Sequence, residues 1–285
     1  MILQENYMLS NGVQIPRLGL GTWFIEDNYA ADAVKQAVLL GYRHFDTAQA
    51  YGNEAGVGAG IRNCGIPREE IFVTSKVAAE AKSYEAAAKS IDESIKKMGL
   101  DYIDMMIIHS PQPWDSWRGD KKYYAENKEV WKALEDAYKA GKLKAIGVSN
   151  FLVEDLEHLL QGCEIQPMVN QILTHIGNTP AELIQYCEER NILVEAYAPI
   201  AHGEALKNET IVSMAEKYGV TVAQLCIKYV LELGTVALPK TANPVHMEDN
   251  AKLDFTISHD DMEILKALDF KEYGNFSFFP VFSGK

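Results

Sequence analysis

The feature that most constrains the fold is a regular alternation of short apolar segments with longer amphipathic ones. Eight apolar segments have the length and composition of buried strands: residues 18–21, 42–45, 71–75, 103–108, 144–148, 168–170, 193–197 and 236–238. Helical periodicity appears between them over residues 30–40, 84–98, 128–140 and 181–190. Such alternation is typical of a parallel sheet buried on both faces. With 285 residues, the pattern predicts an α/β fold of the (β/α)8 TIM-barrel class, as one domain over residues 1–285.

The N-terminal segment has a different pattern. Residues 7–15 contain Asn11-Gly12 between apolar residues, and this dipeptide is the strongest short signal for a β-hairpin. We expect an N-terminal β-hairpin that precedes the first barrel strand and caps one end of the core.

Polar residues follow seven of the eight predicted strands at their C-terminal ends. They are Asp46, Lys76, His109, Ser149 with Asn150, Gln171, Tyr197, and Lys240 with Thr241. In (β/α)8 barrels these strand ends form the face that carries the active site. One such residue alone is usually a helix cap or a solvated side chain, whereas seven in succession indicate a functional face.

Four residues of this face form a candidate acid site. Reduction of a carbonyl group needs a hydride on carbon and a proton on oxygen, and a tyrosine with its ordinary pKa near ~10 can donate that proton at neutral pH. Tyr51 is the candidate donor, and a cation from Lys76 is expected to lower its pKa. Asp46 would keep Lys76 charged, and His109 would orient the carbonyl oxygen. Each residue alone is more often structural, but the four together favour catalysis.

The hydride must come from a cofactor, because no side chain supplies one. Residues 56–60 (GVGAG) do not fit the Rossmann fingerprint, since Ile61 stands where the last glycine is needed and no strand leads into the run. We interpret these glycines as small residues that let a helix pack closely. A phosphate site is expected after the eighth strand, where Lys240 precedes a short helix near residues 246–250. A proline-bounded turn explains that segment, taken alone, equally well.

Composition excludes several classes of function. The formal net charge of −13 argues against nucleic acid or an anionic membrane as a partner. The four cysteines show neither disulfide-framework nor zinc-type spacing, and they suit a reducing compartment. The N-terminus does not resemble a signal peptide, and no apolar run is long enough to span a bilayer. We therefore expect a cytoplasmic protein that acts on a small molecule without a metal.

The order and spacing of several motifs resemble those of the aldo-keto reductase family, of a bacterial type that is diketogluconate-reductase-like or aldose-reductase-like. The resemblance covers most of the chain and rests on LGLGTW (18–23), GYRHFDTA (41–48), YGNE (51–54), FVTSK (72–76), DYID (101–104) leading to His109, IGVSNF (146–151) and EDN (248–250). It implies an alcohol dehydrogenase (NADP+)-like enzyme that reduces aldehydes or ketones, keto-sugars among them, with NADPH. It also implies a monomer.

The resemblance also implies roles for individual residues. The catalytic tetrad would be Asp46, Tyr51, Lys76 and His109, and Trp23 would line the substrate pocket. We also expect substrate contacts from His109 and, because of its loop, from Trp114. Cofactor contacts would come from Thr22, Ser149, Asn150, Gln171, Tyr197, Lys240, Thr241, His246, Asp249 and Asn250. In this set Ser149, Asn150 and Gln171 would bind the nicotinamide carboxamide, and Tyr197 would stack on the ring. Lys240 with Thr241 would bind the 2′-phosphate, and Asp249 with Asn250 would contact the adenine side.

The sequence departs from the family pattern at several of these positions. His246 stands where the family usually has an arginine that contacts the 2′-phosphate, so a conditional charge replaces a permanent one. We expect a weaker preference for NADPH and some use of NADH. Ala198 replaces a serine after the stacking tyrosine, and Ser110 follows His109 where tryptophan is common, which predicts a more open pocket.

Two long segments at the expected catalytic face could shape that pocket. The loop over residues 110–128 carries Trp114, and the aromatic tail over residues 273–282 either covers the pocket or simply docks on the barrel. Two other functions remain open at this point. One is a barrel lyase that uses Lys76 as a Schiff-base nucleophile. The other is a non-catalytic NADP(H)-binding subunit with a regulatory or redox-sensing role.

Overall fold

Eight parallel strands form a closed barrel in the computed structural model, which describes residues 1–283. The strands are β3 (Leu20–Gly21), β4 (His44–Asp46), β5 (Phe72–Val77), β6 (Ile103–Ile108), β7 (Leu143–Ser149), β8 (Val169–Leu173), β9 (Leu193–Tyr197) and β10 (Val236–Leu238), and they neighbour one another in chain order. Parallel bridges between Leu18 and Ala237 and between Gly21 and Lys240 join the first and last strands. The predicted (β/α)8 class is therefore confirmed.

Helices surround this barrel on the outside. They are α1 (Asp27–Leu39), α2 (Glu54–Arg62), α3 (Tyr84–Met98), α4 (Tyr124–Lys139), α5 (Val153–Leu160), α6 (Ala181–Glu188), α7 (Glu209–Tyr218), α8 (Val222–Glu232), α9 (Pro244–Asn250) and α10 (His259–Lys266). Because helices cover the strands outside and side chains fill the lumen, every residue of β5 and β6 is buried. No helix within residues 1–283 is long and apolar enough to cross a membrane.

The expected N-terminal hairpin is present and closes the end of the barrel opposite the strand C-termini. Its strands β1 (Asn6–Met8) and β2 (Gln14–Pro16) pair antiparallel. In the connecting turn, Asn11 Nδ2 donates to the carbonyl oxygen of Lys144, near the start of β7. Ile15 is fully buried. The hairpin therefore seals the bottom of the core and leaves the opposite end for a site.

Several predicted boundaries were wrong by two or three residues. The second barrel strand begins at His44 rather than at Tyr42, because Tyr42 lies in the turn after α1 and its hydroxyl donates to the carbonyl oxygen of Met247. Strand β8 continues to Leu173, beyond the predicted end at residue 170. Its extension contains Gln171, a polar residue that points into the lumen network described below, so an apolar pattern could not reveal it.

The glycine run that lacks a Rossmann fingerprint lies on α2 and lets this helix approach its neighbours. A Cβ atom on Gly56 would collide with the carbonyl oxygen of Asp27 in α1, and one on Gly58 with the carbonyl oxygen of Met98 at the end of α3. A Cβ atom on Gly60 would lie 2.6 Å from the Cβ atom of Val34. The packing interpretation of these glycines is therefore confirmed.

Candidate active site

Four side chains meet at the C-terminal mouth of the barrel, as the sequence predicted. The buried ammonium of Lys76 donates to Asp46 Oδ1 at 2.5 Å, to the carbonyl oxygen of Thr47 at 2.9 Å and to Tyr51 Oη at 3.3 Å. The ring of His109 meets the ring of Tyr51 edge to face, with 5.7 Å between centroids. Tyr51 and His109 both line a cavity that opens at this end. The arrangement presents a phenol to that cavity and an ammonium behind it.

The loop that carries Tyr51 is held in place by Asn53, a residue for which the sequence predicted no separate role. Its side-chain nitrogen donates to the carbonyl oxygens of Thr22 and Ile25, and its side-chain oxygen accepts from the hydroxyl of Thr47. Asn53 is fully buried. These three bonds join the segments that follow β3 and β4, so they fix the height of Tyr51 above the strands.

Burial is the main influence on the pKa of Tyr51. The pKa of Tyr51 is raised, because its desolvation outweighs the attraction that Lys76 exerts on the phenolate. The expectation that Lys76 brings this pKa below its ordinary value is therefore wrong for the free protein. Burial by itself lowers the pKa of Lys76, but Asp46 and Tyr51 together raise it by more than burial lowers it, so the net shift is upward. At neutral pH the structure holds a neutral phenol beside a charged ammonium.

The imidazole of His109 is neutral. Burial and the nearby charge of Lys76 keep the pKa of His109 well below its ordinary value. Its Nδ1 atom has no hydrogen-bond partner among the described residues, and its ring meets Trp114 edge to face with centroids 5.1 Å apart. Because Nδ1 is buried, the ring can donate to a ligand oxygen in the cavity only with its one N–H on Nε2, and as a neutral group it offers that oxygen no charge.

The residues expected around a nicotinamide are bonded to one another. Tyr197 Oη donates to Asn150 Oδ1 at 2.6 Å, and Asn150 Nδ2 donates to the carbonyl oxygen of His109 and to Ser149 Oγ. Ser149 Oγ donates to the carbonyl oxygen of Gln171. Asn150 adopts a left-handed backbone conformation with φ of 62°, which these bonds stabilise. The ring of Tyr197 is thus fixed at the cavity wall rather than free to rotate.

One cavity of about 570 Å³ joins these groups to the barrel mouth. Its polar wall includes Thr22, Asp46, Tyr51, His109, Ser149, Asn150, Gln171, Tyr197 and Lys240. Thr22 contributes indirectly to the acid site, because its hydroxyl donates to the carbonyl oxygen of Asp46. A cavity of this size is within the range of small-molecule and cofactor sites.

The outer wall of the cavity is aromatic. Trp23 and Trp114, both predicted to contact substrate, line it together with Phe276, Phe279 and Phe282 from the C-terminal tail. The tail therefore covers the pocket, and the alternative that it only docks on the barrel is wrong. His202 was missed by sequence reasoning. It stacks on Phe276 with 4.1 Å between centroids, and its pKa is lowered to about 4 by burial, so it joins this wall as a neutral ring.

The residues expected at the phosphate and adenine end are more dispersed. Lys240 lines the cavity, whereas Thr241, His246, Asp249 and Asn250 do not. Thr241 Oγ1 accepts from the backbone N–H of Asn243, the N-cap of α9. His246 on α9 is exposed, and Asp249 pairs with Lys252 at 3.0 Å at the surface. The structure therefore places Lys240 with the mouth residues and His246 and Asp249 at the surface of α9, whereas Thr241 and Asn250 are buried at positions that do not line the cavity.

The barrel lumen below the mouth contains a buried acid that the sequence did not reveal. Glu195 on β9 is fully buried, and its Oε2 accepts from Gln171 Nε2 at 2.9 Å. The same nitrogen donates to Asp46 Oδ2 at 2.8 Å. Burial raises the pKa of Glu195 to about 8 and lowers the pKa of His44, whose Nε2 lies 3.7 Å away, to about 4. At neutral pH this acid and imidazole are both neutral and do not form an ion pair.

The fold and the arrangement at the barrel mouth are those of a known class of oxidoreductase. The model of the aldo/keto reductase family matches residues 17–269, and the chain belongs to this family. It is 42% identical over 268 residues to the glyoxal reductase of Bacillus subtilis (strain 168), with 93% of each chain covered. These matches cover the predicted tetrad and the strand ends that surround it.

Solved structures have the same fold. An aldo/keto reductase from Brucella melitensis superposes with a TM-score of 0.86 at 37% identity, covering 93% of this chain and 99% of that one. An aldo-keto reductase solved in complex with NADPH superposes with a TM-score of 0.84 at 32% identity, covering 93% and 88%. The resemblance drawn from the motifs is therefore confirmed.

Proposed function

We propose that this protein reduces aldehydes or ketones to alcohols with NADPH, and that Tyr51 donates the proton to the carbonyl oxygen. The observation that carries the proposal is the hydrogen bond from the buried Lys76 ammonium to Tyr51 Oη, at the wall of the cavity. Similarity to a glyoxal reductase and to an aldo-keto reductase solved with NADPH supports the reaction and the cofactor.

The chemistry of the cavity wall fits a nicotinamide cofactor. Polar side chains of Ser149, Asn150 and Gln171 stand beside the rigid ring of Tyr197, and Lys240 supplies a cation further along the same cavity. Ser149, Asn150 and Gln171 would bind the carboxamide, the ring of Tyr197 would stack on the nicotinamide, and Lys240 would bind a phosphate group. Thr22 lies near the tetrad. When bound, NADPH supplies the hydride that the carbonyl carbon requires.

The protein's own groups would provide the proton and the orientation. Tyr51 keeps its proton at neutral pH because burial raises its pKa, so the acid form is the resting form. As negative charge develops on the carbonyl oxygen, Tyr51 donates its proton to that oxygen and becomes a phenolate. The ammonium of Lys76 would stabilise this phenolate. Asp46 holds that ammonium in place. The neutral His109 would direct the carbonyl oxygen toward Tyr51 through its one N–H.

The same geometry argues against a Schiff-base lyase. A nucleophilic lysine must lose its proton and reach the substrate carbon. The Lys76 ammonium donates to three acceptors, its pKa is raised, and its side chain is fully buried behind Tyr51. Lys76 is thus held as a cation, which suits support of Tyr51 and not attack on a carbonyl.

The cavity favours uncharged substrates with an apolar body. Rings from Trp23, Trp114 and three tail phenylalanines form its outer wall, and both histidines that line it are neutral. Lys240, the cation of the lining, lies on the cofactor side. We therefore expect aryl and alkyl aldehydes to react faster than anionic keto-acids, with keto-sugars between them because aromatic faces also accept sugar C–H groups.

Substitution Tyr51→Phe tests the assigned acid. We expect kcat to fall by roughly 10²- to 10⁴-fold, the usual contribution of a general acid, while the Kd for NADPH stays within threefold. Tyr84→Phe is the matched control, since Tyr84 bonds Asp136 on the outside of the barrel. NADPH oxidation unchanged in Tyr51→Phe would overturn the role of Tyr51.

A substrate panel tests the reaction itself. Benzaldehyde derivatives, glyoxal, a keto-sugar and an anionic keto-acid are compared as kcat/KM with NADPH and with NADH. Tight NADPH binding without oxidation by any carbonyl in the panel would replace the proposal with the non-catalytic NADP(H)-binding subunit. A faster reaction with the keto-acid than with the aryl aldehyde would contradict the assigned substrate class.

A further inference from the structure

Glu195 is a buried acid that the proposed proton transfer does not use. It lies on β9 in register with Gln171 of the neighbouring strand β8. Its Oε2 accepts one N–H of the Gln171 amide at 2.9 Å, and its Oε1 has no hydrogen-bond partner among the described residues. A buried carboxyl group is costly unless it serves an interaction, so its one hydrogen bond indicates its role.

The Gln171 amide spans the lumen between two acids. Its nitrogen also donates to Asp46 Oδ2 at 2.8 Å, and Asp46 lies on β4, four strands from β8 in the eight-stranded barrel. Both N–H groups of the amide are therefore used. Because the nitrogen is held from two sides, the orientation of the amide is fixed, and its Oε1 is the atom left for a ligand. Gln171 lines the cavity.

The acceptor atoms of the neighbouring polar side chains already accept a hydrogen bond within the protein. Asn150 uses its oxygen for Tyr197 and its nitrogen for His109 and Ser149, and Ser149 donates to the backbone of Gln171. Within this group of side chains, Gln171 Oε1 is thus the acceptor that the protein does not use itself. A primary carboxamide such as that of nicotinamide offers two N–H donors to an acceptor of this kind.

We propose that Glu195 is a positioning residue of the nicotinamide subsite: with Asp46 it holds the Gln171 amide so that Oε1 faces the cavity and accepts an N–H of the cofactor's carboxamide. The inference rests on the proposed use of NADPH. It explains why an acid lies in the lumen, beside the proposed cofactor site, without touching the tetrad directly.

The surroundings of Glu195 indicate that it positions Gln171 through its shape and its acceptor oxygen, and not through a negative charge. The titratable groups that face it are His44 and Asp46 on β4 and Lys76 on β5, while its partner on β10 is the apolar Val236. Burial and the nearby Asp46 raise the pKa of Glu195 to about 8, so the group is neutral at pH 7. A glutamine at this position retains the acceptor oxygen and the shape of the neutral acid.

The test compares NADPH with its 3-acetylpyridine analogue, in which a methyl ketone replaces the carboxamide and removes its N–H donors. Kd values for both are measured at pH 7 on the full chain by quenching of tryptophan fluorescence. One hydrogen bond contributes roughly three- to tenfold in affinity. We expect the wild type to favour NADPH over the analogue by about this factor, Glu195→Gln to keep the preference, and Glu195→Met to lose it.

Control variants separate positioning from a general loss of stability. Glu135 is also buried, and its carboxylate accepts the backbone N–H groups of Glu164 and Ile165 on the outside of the barrel. Glu135→Met is expected to lower the melting temperature but to keep the preference for NADPH. Where Glu195→Met does not fold, Glu195→Asp serves instead, because it retracts the acceptor by one methylene and is expected to lose the preference.

The outcomes distinguish this inference from the proposed function. If the wild type does not bind NADPH, the proposed function fails. If the wild type binds and prefers NADPH, and Glu195→Met or Glu195→Asp retains that preference in full, the proposed function survives and the role of Glu195 is refuted. Loss of the preference in Glu195→Gln as well would also refute it, because the acceptor is still present.

Discussion

The two ends of the proposed cofactor site are built differently. At the inner end, Gln171, Asn150 and Tyr197 are tied to one another or to buried acids across several strands. At the outer end, His246 on α9 is exposed, and Asp249 bonds Lys252 at the protein surface. The inner end is rigid before any ligand arrives, whereas the outer end offers side chains that solvent already surrounds.

Because of this difference, the two ends should contribute differently to catalysis and to cofactor preference. Preorganised groups in a buried site act at full strength, because they need no rearrangement when charge develops. Exposed ion pairs contribute about 0–1 kcal/mol. We therefore expect the inner end to determine whether the reaction occurs, and the outer end to adjust which dinucleotide is preferred.

The largest effect should come from the centre of the inner end. Lys76→Met removes the ammonium beside Tyr51 and leaves the carboxylate of Asp46 unpaired in a buried position. We expect the single-turnover rate of NADPH oxidation to fall by about 10³-fold or more. Lys89→Met, at the exposed Lys89–Glu93 pair on α3, is the control and should change the rate by less than twofold. A loss below tenfold in Lys76→Met would show that the inner end does not act through this charge.

The free energy of unfolding should depend on pH because the buried Glu195 titrates. Its pKa is raised from 4.5 to about 8 in the folded protein, so folding takes up a proton in this window, and stability falls as pH rises through it. Glu195→Gln lacks this titration. Its free energy of unfolding relative to the wild type should increase between pH 5 and 8 by up to about 1.4 kcal/mol per pH unit. Chemical denaturation at four pH values measures this, and parallel curves would contradict it.

An intermediate effect is expected at the outer end. His246 lacks the permanent charge and the length of an arginine, so the wild type should favour NADPH over NADH by well under a thousandfold in kcat/KM. His246→Arg adds a permanent charge and should raise that ratio by about tenfold. His259→Arg on α10, another exposed histidine, is the control. An unchanged ratio in His246→Arg would show that α9 does not reach the 2′-phosphate.

The smallest effect is expected for Asp249→Asn. Its ion pair with Lys252 is exposed, and Lys252 also contacts Glu248 at 3.0 Å, so the cation keeps a partner. We expect the free energy of unfolding to change by less than about 0.5 kcal/mol. A Kd for NADPH weakened more than about threefold would indicate that Asp249 contacts the adenine side more strongly than its surface position suggests.

The parts of the molecule that follow from local pattern were predictable. The strands Ile103–Ile108 and Leu193–Tyr197 and the helix Tyr84–Met98 have the predicted bounds, because apolar runs and a Ser83 cap define them locally. The convergence of Asp46, Lys76 and His109 followed from the rule that strand ends share one face. The pattern of the sequence therefore defined both the barrel and its functional end.

What the sequence missed depends on contacts between distant residues. Glu195 lies inside an apolar strand, and only the position of Gln171 beside it explains the acid. Asn53 was visible within a motif, but its bonds to Thr22 and Ile25 require the folded loops. The predicted direction of the Tyr51 pKa shift was also wrong, because burial in the folded protein raises this pKa more than the neighbouring Lys76 lowers it.

The glycines of α2, in the outer layer of the protein, help to determine the geometry of the functional site. Gly56, Gly58 and Gly60 do not line the cavity, yet their lack of side chains sets how closely α2 packs against its neighbours. Asn53 and the Tyr51 loop lead directly into that helix. In a library in which every position is randomised and survivors are selected for turnover, these three glycines should be as invariant as the tetrad. An engineer who wishes to reshape the pocket should leave them unchanged.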